Sequence, residues 1–477
     1  MKDQLRRLEK LARTLDPDLQ GRSEMNQAAM SFADAFLASL PERGTYRHSD
    51  GEPDPGEFGL QEEPASMNEA LAVFERSVLG SGINPASGSH FGYIPGGGVY
   101  PSALGDYLAD VTNRYSGVSF ASPGAALLER SLVRWMATEL VGLPDTAGGD
   151  LTSGGSIANL SAIVTAREAC AIRARDVERS VVYLSSQTHH CVDKALRVAG
   201  LGECIIRRVA LDTGLRMKPQ ALAEQVIADQ AAGLRPWLVV ASAGTTGVGA
   251  VDPLDAIADV AAEHSLWNHV DAAYGGFFLL TRHGRQRLAG IERADSVVLD
   301  PHKGLFLPFG TGTVLARDES LLAAAHHYTA NYMQDARDAG GTFSPADLGP
   351  ELTRPFRGLR LWLPLKLFGL EPFRAALEEK LLLARYFRQQ LIQIPGFEVG
   401  PEPDLSVVTY RYQPQHGDAD DCNLRLLQAV HADGHSFISS TRVGDRFVLR
   451  FACLHMRSHL QQVDQLLEFL ARESARL

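Results

Sequence analysis

A lysine, an aspartate and a histidine interrupt an apolar stretch near the middle of the chain. The segment DSVVLDPHKGLF (295–306) begins like a buried strand, and Asp300, His302 and Lys303 follow where the strand ends. A lysine in such a position commonly extends its amine into solvent. The alternative is an amine held away from water, where desolvation and a neighbouring cation lower its pKa and favour imine formation with a carbonyl compound.

A second segment combines glycines and hydroxyl groups at the predicted start of a helix. It reads LTSGGSIANL (151–160) and contains Gly155 and Ser156. Free backbone N–H groups at the positive end of a helix bind anions, and phosphate is the most natural of these. A turn followed by an ordinary helix cap is the plainer alternative.

Two more predicted strands end in polar side chains. In WNHVDAAYGGF (267–277), Asp271 precedes the small Ala273, and in SSQTHHCVDKAL (185–196) two histidines, His189 and His190, are adjacent. The carboxylate could cap a helix, or it could hold a cationic ring nitrogen of a flat ligand. An imidazole could stack on that ligand or transfer protons, although a surface histidine at a helix start is equally simple.

The four segments together match the requirements of one cofactor. Pyridoxal phosphate (PLP) needs a phosphate site, an acid for its ring nitrogen, a stacking ring and a lysine that forms an imine. The cofactor accepts the electrons released at the substrate Cα. The sequence therefore predicts PLP as the cofactor, and it predicts no metal site because the five cysteines contain no C-x-x-C pair.

The elements that must position these residues follow an alternating pattern. From about residue 90 to 350, short apolar runs alternate with helices, which indicates a largely parallel sheet covered on both faces. Ligands bind beyond the carboxyl ends of such strands. The strand candidates are VVYLSS (181–186), CIIRRVAL (204–211), PWLVVASAG (236–244), LWNHVDAAY (266–274), SVVLD (296–300) and GTVLAR (312–317).

Three regions are predicted along the chain. Residues 1–90 form a helical N-terminal arm that serves as a dimerisation segment, because they are too short and too interrupted for a core of their own. Residues 91–355 form the large PLP-binding α/β domain. Residues 356–477 form a smaller C-terminal α+β domain, with a hairpin around Gly444.

Composition excludes several classes of protein. The 477 residues carry a net charge of −11, which argues against a general binder of nucleic acids or anionic membranes. The five scattered cysteines indicate reduced thiols. The first twenty residues are charged throughout, unlike a signal peptide, and no apolar run approaches the ~20 residues of a membrane span. We expect a soluble cytoplasmic protein.

Five motifs resemble those of the group II PLP-dependent amino-acid decarboxylases, and the aromatic-L-amino-acid decarboxylases are the nearest branch. They are TSGGSIANL, SSQTHHCVDKALRVAGL, SAGTTGVGAVDPL, HVDAAYGGF and DPHKG, in this order, within a similarity from about residue 85 to 370. The resemblance implies PLP fold type I, the aspartate-aminotransferase-like α/β fold. It also implies a homodimer with active sites at the subunit interface.

The resemblance also implies a carboxy-lyase that releases an amine and CO2 through a Schiff base on Lys303 and a quinonoid intermediate. Asp271 would pair with the pyridinium nitrogen. His189 and Ala273 would pack on opposite faces of the ring, and Thr246 would lie near Asp271 and the ring. A non-catalytic relative would not need the lysine, the aspartate and the histidine together, and a transaminase would need an arginine clamp that the sequence does not place.

The phosphate site of the family matches Gly155 and Ser156, with His302 nearby. The family usually has a small polar residue, often asparagine, where this chain has Asp300. An additional acid beside the phosphate is therefore a departure from the family pattern.

Two further departures concern the reaction and the substrate. The catalytic loop of the family carries a tyrosine thought to reprotonate Cα, but DARDAGGTFSPADLGPELT (335–353) contains Phe343 and no tyrosine. Loss of this hydroxyl in relatives is associated with oxidative, aldehyde-forming chemistry, which is the alternative to simple decarboxylation. Tyr328 or Tyr332 could replace the missing donor. Tyr93 and Ile94 occupy the segment where the family has a pocket phenylalanine, so they are the candidate substrate-pocket residues.

Overall fold

The structure of the protein is a computed structural model, which describes residues 1–49, 51, 54–60, 62–94, 96–327 and 343–476. Tyr328 and Tyr332, the two alternative proton donors, lie outside these residues. Within them, no helix has both the length and the apolar character needed to cross a membrane.

The N-terminal arm is helical, as predicted. Helices α1 (Lys2–Ala12), α2 (Leu19–Ser39) and α3 (Met67–Val73) contain no buried residue. Helix α3 begins at a capping box formed by Ser66 and Glu69, which satisfies two otherwise free N–H groups. Three short strands accompany the arm, of which the first two pair antiparallel: β1 (Tyr46–Arg47), β2 (Gly82–Ile83) and β3 (His90–Phe91).

A seven-stranded sheet forms the centre of the large domain, and the six predicted strands are all present. The strands are β4 (Gly148–Thr152), β5 (Ser180–Ser185), β6 (Ile205–Val209), β7 (Arg235–Ser242), β8 (Trp267–Asp271), β9 (Ser296–Leu299) and β10 (Gly312–Ala316). Their order is β4-β10-β9-β8-β7-β5-β6, and β10 runs antiparallel to both of its neighbours. The other pairs are parallel. Strand β4 was missed because its sequence, GGDLT, resembles a turn.

Helices cover both faces of this sheet, which explains why strands such as β5 are buried along their whole length. Helix α5 begins with Pro123 and continues as a wider π-helical turn that ends at Gly142, whose φ is 84°. The helices are α4 (Tyr100–Thr112), α5 (Pro123–Arg134), α6 (Gly155–Ala169), α7 (His190–Val198), α8 (Pro219–Ala231), α9 (Leu254–Glu263), α10 (Arg282–Arg287), α11 (Pro301–Gly304) and α12 (Glu319–His326).

The C-terminal region is an α+β unit around a five-stranded sheet. Its elements are α13 (Gly358–Phe368), α14 (Glu371–Ile392), β11 (Phe397–Val399), β12 (Val407–Tyr412), α15 (Ala419–Asp433), β13 (Phe437–Val443), β14 (Arg446–Ala452) and α16 (Leu460–Ser474). The strand order is β11-β12-β14-β13-β3, so the strand β3 from the end of the N-terminal arm joins this sheet. The predicted hairpin is present, and Val443 pairs with Arg446.

The domain boundary predicted between residues 355 and 356 stays a prediction. Two helices that follow it, α13 and α14, pack partly against elements that precede it. Helix α13 lies against α4, where the hydroxyl of Ser102 donates to the carbonyl of Arg360 at 2.9 Å. The first half of α14 contributes Phe373 and Leu377 to the core of the large domain, whereas its second half contributes Phe387 to the core of the small one.

Candidate active site

The carboxyl ends of β7, β8 and β9 open onto a cavity of about 280 Å³. Every residue predicted to be catalytic or to bind the cofactor lines it, and the role of each residue stays a prediction. These residues are Gly155, Ser156, His189, Thr246, Asp271, Ala273, His302 and Lys303.

Lys303 lies on the short helix α11, directly after strand β9. Its Nζ is 2.9 Å from Oδ2 of Asp300, a carboxylate that is only 1% exposed. Burial lowers the pKa of Lys303, but the charges of Asp300 and Asp271 outweigh burial, and the net shift is upward. The expectation of a lowered pKa is therefore wrong for this arrangement, because the nearest charge is an anion and not a cation.

The turn before α6 gives an anion close access to the backbone. The first N–H groups of a helix have no partner within it, and α6 begins at Gly155. A Cβ atom at Gly155 would lie 2.8 Å from Oδ2 of Asp300, and one at Gly154 would lie 3.2 Å from Cε1 of His302. Glycine is therefore required here by close packing. Residues 153–156, called the phosphate turn below, line the cavity, and their backbone N–H groups could hold a phosphate.

His302 closes the same corner of the cavity. Its Nδ1 lies 2.5 Å from the carbonyl oxygen of Thr311, and its Nε2 is 3.7 Å from Oδ2 of Asp300. Burial lowers the pKa of His302 despite the neighbouring Asp300. The imidazole is therefore neutral near pH 7, and its Nδ1 lies within hydrogen-bonding distance of both the carbonyl oxygen and the N–H of Thr311.

Asp271 and His189 line the part of the cavity where a flat ring could bind. The backbone N–H of Ala273 donates to Oδ1 of Asp271 at 3.1 Å, which fixes the carboxylate at the end of β8. Nδ1 of His189 accepts the N–H of Cys191 at 3.3 Å. Burial lowers the pKa of His189, so its neutral ring carries the proton on Nε2.

Of the three remaining predicted contacts, Thr246 lines the cavity, whereas Tyr93 and Ile94 do not. The carbonyl of Thr246 accepts a hydrogen bond from Nη2 of Arg450. Ile94 is buried in the main hydrophobic core, whereas Tyr93 is 52% exposed and packs on Phe437 with ring centroids 5.7 Å apart. Neither Tyr93 nor Ile94 is among the residues that line the cavity. Their role in substrate binding stays a prediction.

Sequence reasoning missed several residues of the cavity. Asn159 lies one helical turn after Gly155 on α6, and its Nδ2 is 3.4 Å from Oδ2 of Asp271. The i to i+4 spacing from the phosphate turn was the available signal. The other cavity residues that were not singled out as cofactor contacts include Cys191, Ser242 and Tyr274. Phe343, by contrast, lines a different cavity of about 820 Å³.

Comparisons with known proteins agree with this geometry. Residues 58–413 match the family model described as the pyridoxal-dependent decarboxylase conserved domain. An aromatic-L-amino-acid decarboxylase from Bacillus atrophaeus is 34% identical over 414 residues, which cover 86% of this chain and 85% of the relative. A phenylacetaldehyde synthase from Arabidopsis thaliana is 30% identical over 405 residues, which cover 82% of each protein.

A solved structure of another protein has the same fold as this chain. The crystal structure of Oryza sativa TDC with PLP and tryptamine has a TM-score of 0.91 and 27% sequence identity, and the match covers 97% of this chain and 99% of that chain. The predicted fold type I is therefore confirmed. The phosphate turn, the carboxylate of Asp271 and the amine of Lys303 suit the three functional groups of PLP. The chain belongs to the pyridoxal-dependent decarboxylase family and is a PLP-dependent carboxy-lyase.

Proposed function

We propose that the protein decarboxylates an L-amino acid with an aromatic side chain and releases the amine and CO2. The observation that carries this proposal is the meeting of Lys303, Asp271 and His189 in one cavity beside the phosphate turn. The substrate class is supported by the relative from Bacillus atrophaeus, whose name states aromatic L-amino acids.

Bound PLP supplies an electron sink for the electron pair that CO2 leaves at Cα. Nζ of Lys303 must lose its proton before it can attack a carbonyl, and the charge of Asp300, whose Oδ2 is 2.9 Å away, favours the protonated amine until then. Asp271 provides a negative charge for the ring nitrogen. His189 offers an imidazole face and an Nε2 proton on the side of the cavity where α7 begins.

A second candidate is decarboxylation with oxidative deamination to an aldehyde. It is favoured by the stretch 335–353, which contains Phe343 and no tyrosine, and by the similarity to a phenylacetaldehyde synthase. In this reaction the amino acid, O2 and water yield the aldehyde, CO2, ammonia and hydrogen peroxide. The two electrons lost by the substrate carbon reduce O2, so the electrons balance.

One experiment separates the two candidates. The holoenzyme is incubated with a panel of aromatic and aliphatic L-amino acids, and CO2, amine, aldehyde and peroxide are measured together. Amine equal to CO2, without peroxide, supports decarboxylation. Aldehyde and peroxide equal to CO2 establish the second candidate. Failure to release CO2 from any aromatic amino acid contradicts the proposed substrate class.

The quaternary structure and location are part of the same proposal. We propose a homodimer in which the N-terminal arm covers a second subunit, because the apolar side chains of α1 are exposed: Leu5 57%, Leu8 53% and Leu11 61%. Sedimentation of the holoenzyme should give twice the chain mass of 51.8 kDa, and a monomer under assay conditions contradicts it. A cytoplasmic location is proposed from the scattered cysteines, which are free thiols.

A further inference from the structure

A chain of buried polar side chains extends from the base of the sheet to the carboxylate of Asp271. Oδ1 of Asn159 is 2.8 Å from Nε2 of His269, and Nδ1 of His269 is 2.8 Å from the hydroxyl of Ser296. The same hydroxyl accepts a hydrogen bond from Nε1 of Trp267 at 2.8 Å. None of the decarboxylase motifs explains why these four residues should be connected.

The direction of every hydrogen bond in this chain is fixed by chemistry. The indole Nε1–H of Trp267 can only donate. The Nδ2 group of Asn159 faces three acceptors, the carbonyl of Gly155 at 2.8 Å, Oδ2 of Asp271 at 3.4 Å and Sγ of Cys191 at 3.6 Å, so its Oδ1 must face His269. An amide oxygen only accepts, which places the proton of the neutral imidazole on Nε2 and leaves Nδ1 to accept from the hydroxyl of Ser296.

The imidazole of His269 is neutral at working pH. Burial lowers its pKa to about 4, against the opposing influences of Asp271 and the main chain of Ser296. A neutral imidazole donates one hydrogen bond through one nitrogen and accepts one through the other. All four donors therefore point towards Asp271, and successive hydrogen bonds that are aligned in this way polarise one another.

We infer that Asn159, His269 and Ser296 form a positioning relay that stabilises the ionised carboxylate of Asp271 and thereby keeps the ring nitrogen of PLP protonated. Asn159 lines the cavity beside the carboxylate of Asp271, whereas His269 and Ser296 lie behind it and are not among the residues that line the cavity. The relation of the relay to the cofactor rests on membership of the PLP family. It is independent of the substrate class and of the product proposed above.

Other groups also influence Asp271. Among the described residues, the titratable groups that interact electrostatically with it include His189, Cys191, Lys303 and His269. Of these, His269 belongs to the relay. Ser296→Ala leaves the other three in place, whereas Asn159→Ala also removes the contact of Nδ2 with Sγ of Cys191 at 3.6 Å.

The test uses holoenzyme reconstituted with PLP that carries 15N at the ring nitrogen. The 15N resonance is followed against pH without substrate, which gives the pH at which this nitrogen loses its proton. Asn159→Ala removes the donor that reaches Asp271, and it should lower this pH by about one unit. Ser296→Ala removes a more distant donor, and it should lower this pH by roughly 0.2 unit.

A matched control and a second measurement exclude a general packing effect. Ser180→Ala deletes a fully buried serine hydroxyl from β5 of the same sheet, away from the cavity, and it should leave the 15N titration unchanged. In holoenzyme with 15N-labelled histidine, His269 should be the Nε2–H tautomer. The inference is overturned if Asn159→Ala titrates like the unaltered protein, if Ser180→Ala shifts the titration as much as Ser296→Ala, or if His269 carries its proton on Nδ1.

Discussion

Two lysines in this protein, one partly exposed and one fully buried, have similar partners and different consequences. Nζ of Lys303 lies 2.9 Å from Oδ2 of Asp300, and Nζ of Lys380 lies 2.7 Å from Oε2 of Glu379. Each amine therefore has a carboxylate within hydrogen-bonding distance. A lysine paired with an acid is common to both places, so this pairing alone does not identify a site.

The surroundings of the two amines separate them. Lys380 also donates to the carbonyl of Ser458, and Oε1 of Glu379 is 2.8 Å from Nδ1 of His459, so this pair joins α14 to the start of α16. Lys303 instead borders the cavity, and Oδ1 of its partner Asp300 is buried without a hydrogen-bond partner among the described residues. Open volume and an unmatched polar atom identify the functional lysine.

The largest expected effect is the loss of activity in Lys303→Ala. This change removes the amine that forms the imine, so CO2 release should fall by at least about 1,000-fold and the visible absorbance of the cofactor–lysine bond should disappear. Absorbance spectra and CO2 assays of the purified holoenzyme measure both quantities. Persistence of the visible band in Lys303→Ala would mean that another amine holds the cofactor.

The second prediction concerns Lys380→Met, which keeps an unbranched side chain that is one heavy atom shorter and removes its charge. The carboxylate of Glu379 and the carbonyl of Ser458 lose a partner, so the free energy of unfolding should fall by about 2 kcal/mol. Glu379 is 36% exposed, so water replaces part of the lost interaction. Denaturant unfolding measures the difference. The visible band and CO2 release per folded molecule should stay unchanged, and their loss would contradict the structural role of Lys380.

The site was largely predictable because its residues interrupt local patterns. Asp271 and Lys303 follow apolar strands, and Gly155 precedes a helix, so each deviates from its own segment. Lys380 gives no such signal, because a lysine within a long helix is typical of an exposed position, and its burial depends on Ser458, 78 residues away. Asn159 is similar, because its contacts with His269 and Asp271 are made to strand β8 and leave no signal among its neighbours on α6.

The fold shows the same limit. Six strands of the large sheet were predicted from short apolar runs. The pairing of β3 with β13 joins residues near 90 to residues near 437, and a two-residue strand has no periodicity from which to predict it. The antiparallel direction of β10 was also missed. Both features depend on contacts between distant segments, which a local pattern does not contain.

The smallest expected effect comes from removing only the negative charge from each lysine–acid pair, Lys303–Asp300 and Lys380–Glu379. Asp300→Asn replaces the carboxylate beside Lys303 with an amide of similar shape, and Glu379→Gln makes the matched change beside Lys380. Asp300 holds the pKa of Lys303 above its ordinary value against the effect of burial. Without that charge the pKa falls, so more of the amine is neutral, and therefore nucleophilic, at any given pH.

The rate at which apoenzyme captures PLP should therefore rise with pH, and Asp300→Asn should shift this profile to lower pH by about one unit or more. Stopped-flow absorbance of the visible band measures the rate at each pH. Glu379→Gln should leave the profile in place, because its charge acts on an amine that never meets the cofactor. A shift to higher pH in Asp300→Asn would show that Asp300 accepts the lysine proton during capture, in which case its role as a base outweighs its effect on the pKa.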